Sequence, residues 1–89
     1  MELEILSGIL ASKYRKEILL ILADVDLETP SGIWRKMLEK GYKSANKQNV
    51  SSSLRWLKDR GLVKVEIERR KGKLYKITDK GKKHVSKIS

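Results

Sequence analysis

The sequence predicts an α+β domain, mainly α, in which a three-helix core precedes a two-stranded β-hairpin and short helices stand at both ends. Two observations carry this expectation. Apolar residues recur at helical spacing as far as residue 60 and then at alternate positions from Val63. The few glycines and the one proline fall mostly between these periodic segments, where they start or break elements. A length of 89 residues fits a single domain over 1–89 with one small core.

Each element has its own signal. Within residues 2–10, Leu3, Leu6, Ile9 and Leu10 share helical spacing, although Gly8 weakens that helix. Ser12 is an N-cap for a helix over 13–24, with Tyr14, Ile18, Ile21, Leu22 and Val25 on its stripe. Leu19 and Leu20 widen the stripe beyond the need of one small core, so they are expected against the N-terminal segment or a second subunit. Asp26-Leu27-Glu28 reads as an extended link. Thr29 caps the next helix and Pro30 opens it; Ile33, Trp34, Met37 and Leu38 form its apolar face. Gly41 is the expected left-handed stop. Asn46 caps a helix that runs to Arg60, and Val50, Leu54 and Leu57 mark its buried face. Gly61 ends it.

Beyond Gly61, Val63, Val65 and Ile67 alternate with Lys64, Glu66 and Glu68, the pattern of a half-buried strand. Lys73 to Thr78 forms the second strand. A two-residue loop at Lys71-Gly72 would set Ile67 opposite Lys76, on the wrong face. A three-residue loop, Arg70-Lys71-Gly72, pairs Ile67 with Tyr75 and Val65 with Ile77, turns Leu74 outward, and is the expected register. Thr78 then caps a last helix over about 79–88.

The formal net charge is +10, and it is unevenly placed. Residues 1–30 carry three basic and six acidic side chains, residues 31–61 eight and two, and residues 62–89 ten and three. A basic region beside a neutral-to-acidic one suggests a polyanionic partner. The competing explanation is a Lys-rich solvated surface. Absence of Cys removes disulfides and Cys-based zinc sites, and one histidine, His84, supplies no metal cluster and few nucleophile–base pairs. No enzyme, metal, cofactor or small-molecule ligand is expected. No apolar run is long enough to span a membrane, and the acidic start Met1-Glu2-Leu3-Glu4 is unlike a secretory or transit peptide, so a cytoplasmic, nucleoid-associated protein is expected.

Two helices joined by the tight turn from Gly41 to Asn46 make a helix-turn-helix over 29–60, and the hairpin over 62–78 would be its wing. The run Asn49-Val50-Ser51-Ser52-Ser53-Leu54-Arg55-Trp56-Leu57-Lys58-Asp59-Arg60-Gly61-Leu62-Val63 resembles the recognition helix and first wing strand of winged helix-turn-helix regulators of the MarR and ArsR type. Lys73-Leu74-Tyr75-Lys76-Ile77-Thr78-Asp79-Lys80-Gly81 is similar to their second wing strand and following helix start, and Ala11 to Leu22 to the first core helix of archaeal members. Together these pieces cover most of residues 11–82. The resemblance implies a double-stranded DNA-binding regulator of transcription.

The residues agree with it. An α-helix fits the major groove, where Gln and Asn can bond adenine edges and Arg can bond guanine. Gln48, Asn49, Ser51, Ser52 and Arg55 are the expected base-reading set, and the small serines would let the backbone approach closely. A solvated face would favour Glu and Lys. Lys43, Ser44 and Lys47, before and at the start of this helix, are expected phosphate contacts, as are Arg69, Arg70, Lys71 and Lys73 at the hairpin tip. Arg35, Lys36, Lys58 and Arg60 fit simple helix solvation equally well. Trp34 and Trp56 read as partial core, and His84 as an exposed surface residue. Regulators of this kind act as two-fold dimers, so a homodimer is expected through the segment 1–11 and its neighbours, by Leu3, Leu6, Leu10, Leu19 and Leu20. Two other readings stay open: a non-specific architectural DNA binder, and a protein- or RNA-binding winged helix of a larger assembly.

Overall fold

A computed structural model describes residues 2–88; the two ends of the predicted span, Met1 and Ser89, lie outside the described residues. The order is α1 (Glu2–Leu10), α2 (Lys13–Asp24), α3 (Pro30–Glu39), α4 (Lys47–Asp59), β1 (Val63–Arg69), β2 (Gly72–Ile77) and α5 (Asp79–Ile88). The expected caps hold four helix starts. Ser12 Oγ accepts from Arg15 N at 3.4 Å, Thr29 Oγ1 from Gly32 N at 3.1 Å, Asn46 Oδ1 from Asn49 N at 2.7 Å, and Thr78 Oγ1 from Gly81 N at 3.1 Å. Each removes one orphan amide from a helix end, a contribution of about 1 kcal/mol. Gly41 takes a φ of 96°, as a left-handed stop requires.

Helix α2 is the centre of the molecule. It touches α1, α3, α4, α5 and β2. Ile18, Leu19, Ile21 and Leu22 of α2 are buried with Ile33 and Met37 of α3, Val50, Leu54 and Leu57 of α4, and Leu62, Val63 and Ile77 of the hairpin. Full burial of one such side chain is worth about 1.5–3 kcal/mol, so this cluster fixes how α4 is seated. Five elements around one helix explain the width of its stripe. Leu19 is therefore fully enclosed by its own protomer, and its expected place on a dimer surface is corrected. Leu6 and Leu20 are half-buried, whereas Leu3 is 77% and Leu10 54% exposed. Leu38, expected on the buried face of α3, is exposed as well.

The hairpin corrects the expected register. Arg69 pairs with Gly72, so the loop is the two residues Arg70-Lys71, and Ile67 pairs with Leu74. Nearer the core, Val65 pairs with Tyr75 and Val63 with Ile77. An irregularity between Val65 and Ile67 reconciles the two halves. Burial sets the core half, the tight turn sets the tip half, and a bulge absorbs the odd residue. Leu74 is thus half-buried opposite Ile67. The link before α3 is also more than a connection. Glu28 N donates to Tyr75 O at 3.2 Å and Tyr75 N to Glu28 O at 2.8 Å, which adds a one-residue third strand to the sheet.

Two glycines mark close approaches. A Cβ on Gly8 would overlap the Trp56 indole, which is how α1 lies tight against α4. A Cβ on Gly81 would overlap the Leu62 carbonyl and stand 2.6 Å from Ile77 Cγ1, so α5 starts hard against the hairpin base. That packing also overturns the exposed position expected for His84, which is only 3% exposed. Its Nδ1 lies 2.9 Å from Lys80 O and donates to it, while Nε2 is buried without a hydrogen-bond partner among the described residues.

Candidate nucleic-acid interface

The buried stripe of α4 leaves a definite outer face. Gln48, Ser51, Ser52 and Arg55 are exposed on it, and Asn49 is half-buried at its edge with its amide bound to the Asn46 cap. Ser53 is buried, so it does not belong to this face. The exposed set is short apart from Arg55, so a long partner can come close to the helix backbone. Its donors and acceptors are uncommitted to other side chains among the described hydrogen bonds.

The approach turn is built as tightly as the helix. Tyr42 N donates to Met37 O at 3.0 Å, and Ala45 is buried with its carbonyl accepting from Trp34 Nε1 at 2.8 Å. Trp34 is thus the half-buried prop beneath the turn, and Lys47 Nζ stands 5.7 Å from its ring centroid. Lys43 and Ser44 are exposed, and Ser44 Oγ lies 2.6 Å from Tyr14 Oη. Tyr42 Oη donates to Glu17 Oε1 at 2.9 Å, and Lys40 Nζ meets Glu17 Oε2 at 2.7 Å. The bond to Glu17 pushes the Tyr42 hydroxyl above its ordinary pKa, and burial and the Glu17 charge push the same way.

At the hairpin tip Arg69, Arg70, Lys71 and Lys73 are all exposed. Among the described residues only Lys73 has a carboxylate neighbour there, Glu68 Oε1 at 3.7 Å, an exposed pair of little energetic weight. The cations are therefore available for phosphates.

Sequence reasoning missed the first turn of α2. Lys13 lines a cleft of about 470 Å³ with Lys40, Gly41, Tyr42, Lys43 and Ser44 of the approach turn, and Tyr14 and Arg15 border a second cleft with Asn49 and Ser52 of α4. The signal was present as Lys13-Tyr14-Arg15-Lys16, a basic run inside the acidic first third. Arg15 and Arg60 were also undervalued. Their guanidinium carbons stand 4.2 and 3.9 Å from the Trp56 ring centroid, and Arg15 Nη1 donates to Gly8 O at 2.9 Å. Stacked arginines and the close Gly8 backbone hold α1 onto the half-buried Trp56 of α4. Of the remaining cations, Lys36 pairs with Glu28 at 3.8 Å, and Arg35 and Lys58 are exposed. Among the described residues no group of three or more His, Cys, Asp or Glu is placed to hold a metal, and no helix is long and apolar enough to cross a membrane.

A helix-turn-helix seated in a helical core and followed by an antiparallel hairpin is a winged helix, the fold that the motif order implied. Comparison with solved structures agrees. RosR of H. salinarum superposes with a TM-score of 0.79 at 22% identity over 86% of this chain and 69% of that one. The reduced transcriptional regulator YodB from B. subtilis gives 0.77 at 15% identity, over 98% of this chain and 81% of that one. A MarR mutant from E. coli complexed with operator DNA gives 0.73 at 19% identity, over 94% of this chain and 57% of that one. No family model and no curated protein matches the sequence.

Proposed function

We propose that the protein binds double-stranded DNA in a sequence-selective way and regulates transcription. One observation carries the reading: α4 buries Val50, Leu54 and Leu57 completely while presenting Gln48, Ser51, Ser52 and Arg55 outward. A rigidly seated helix with a short, polar outer face suits the major groove. Asn49 edges that face; Lys43, Ser44 and Lys47 before it, and Arg69, Arg70, Lys71 and Lys73 on the wing, would hold phosphates. The MarR structure of the same fold carries operator DNA, which supports the reading. The place of action that follows is the cytoplasm, on the chromosome.

We also propose a homodimer. Leu3 and Leu10 lie seven positions apart on one face of α1 and are the most exposed large apolar side chains of the described residues, with half-buried Leu6 between them. A single winged helix reads few base pairs, and a two-fold pair reads two half-sites. Sedimentation at high concentration should give twice 10.3 kDa, and a species of 10.3 kDa would overturn the dimer.

Selection from a random duplex pool at two salt concentrations tests the main reading. Enrichment of a motif is the expected result. Retention of all sequences alike would favour an architectural role. No retention of duplex would point to a protein- or RNA-binding module instead.

A further inference from the structure

The duplex reading draws on α4, its approach turn and the wing, and leaves the start of α2 without a role. The structure folds that start against the approach turn. Tyr14 Oη and Ser44 Oγ are 2.6 Å apart, a bond that spans 30 positions of sequence. Beside it lies the cleft of about 470 Å³ lined by Lys13 and Lys43 with Lys40, Gly41, Tyr42 and Ser44. No carboxylate is among these lining residues. Lys40 is already occupied by Glu17 at 2.7 Å. Neither Lys13 nor Lys43 takes part in any of the ion pairs found among the described residues, which involve Lys36, Lys40, Lys64 and Lys73. Lys13 Nζ rests 5.5 Å from the centroid of the Tyr14 ring.

Two ammonium groups offer donors only, and the hydroxyl pair between Tyr14 and Ser44 can add another. The complementary group is a compact anion with several acceptor oxygens. Its position identifies its source. Tyr14, the residue after Lys13, borders a second cleft with Ser12, Arg15, Asn49, Ser52 and Ser53, so the first turn of α2 stands beside Asn49 and Ser52 of α4 as well as beside the approach turn. We propose that the cleft between the first turn of α2 and the approach turn seats a backbone phosphate of the duplex that α4 reads, held by Lys13 and Lys43. The Tyr14–Ser44 bond fixes the two lysines relative to α4, so this contact sets the depth and register of the helix in the groove. The inference rests on the duplex reading and extends the footprint to a helix outside the helix-turn-helix.

The test uses the full chain and the duplex that selection returns. Lys13→Ala and Lys43→Ala alter exposed side chains, and circular dichroism checks that each keeps the fold. Each should weaken binding by about tenfold at moderate salt and lower the slope of log K against log salt by about 0.9, with the preferred sequence unchanged. Tyr14→Phe removes the hydroxyl bond and should weaken binding less, without changing the slope. Wild-type affinity and slope in both lysine variants would overturn the inference while the duplex reading stands. If the wild-type chain binds no duplex, the duplex reading itself fails and takes this one with it. Millimolar inorganic phosphate, followed by phosphorus NMR, is the remaining arm. Saturable binding that Lys13→Ala abolishes, with duplex affinity intact, would assign the cleft to a free anion and also overturn the inference.

Discussion

Replacing Gly81 with Ala separates local preference from packing, because the two predict opposite signs. Gly81 lies in the first turn of α5, where alanine is the better helix former by up to about 1 kcal/mol. Packing opposes the change. The new Cβ would overlap the Leu62 carbonyl, which is backbone beside a fully buried side chain, and would stand 2.6 Å from Ile77 Cγ1 and 3.2 Å from its Cδ1. An ordinary contact needs roughly 1 Å more, so α5 must lift or the hairpin base must shift. Forcing a methyl into such a site costs about 1–3 kcal/mol, and contact with backbone places this case in the upper half of that range. The net expectation is a loss of about 1–2 kcal/mol. For a domain of this size that lowers Tm by roughly 4–16 °C. Urea unfolding followed by circular dichroism measures it, with a lower midpoint at unchanged m-value expected. An equal or higher midpoint would refute the claimed closeness of α5 to the hairpin. Gly41→Ala is the control: its Cβ would meet nothing within 4 Å, so only the strain of a φ of 96° should register.

Other outcomes follow from the same geometry. The raised pKa of Tyr42 means that the fold favours its neutral hydroxyl, so its contribution is complete below its ordinary value of 10.0 and is lost as pH rises through the folded value. Wild type should thus lose more stability than Tyr42→Phe above about pH 10, and parallel unfolding free energies across that range would contradict the Glu17 bond as the cause. Arg70→Ala, at the exposed wing loop, should weaken binding to all duplexes alike and flatten the salt dependence by about one phosphate's worth. A change of preferred sequence in that variant would instead give the wing a base-reading role.

Local chemistry made much of this molecule legible in advance. Ser12, Thr29, Asn46 and Thr78 each declare a helix start through one short-range hydrogen bond, and Gly41 declares a stop through its φ. The apolar period identified the buried face of α4 and, by subtraction, its outer face. What escaped depended on distant neighbours. Val65 and Ile67 alternate perfectly in sequence, yet a bulge between them splits the register, because turn and core impose different offsets. His84 is polar and sits among lysines, but the helix phase set by Thr78 and Gly81 turns it inward. Leu19 appeared surplus because periodicity does not count how many elements surround a helix. Lys13 and Tyr14 joined the candidate interface only once the bond to Ser44 brought two separate stretches together.

The most direct test of the central claim is the binding of Arg55→Ala to selected duplex and to its single-base variants. Arg55 is the cation of the proposed base-reading set on the exposed face of α4, and it is not among the buried residues of that helix. A loss of about 1–3 kcal/mol on the preferred site is expected, with discrimination relaxed at particular base pairs and retained at others. Unaltered sequence preference in Arg55→Ala would contradict the assignment of α4 as the helix that reads DNA.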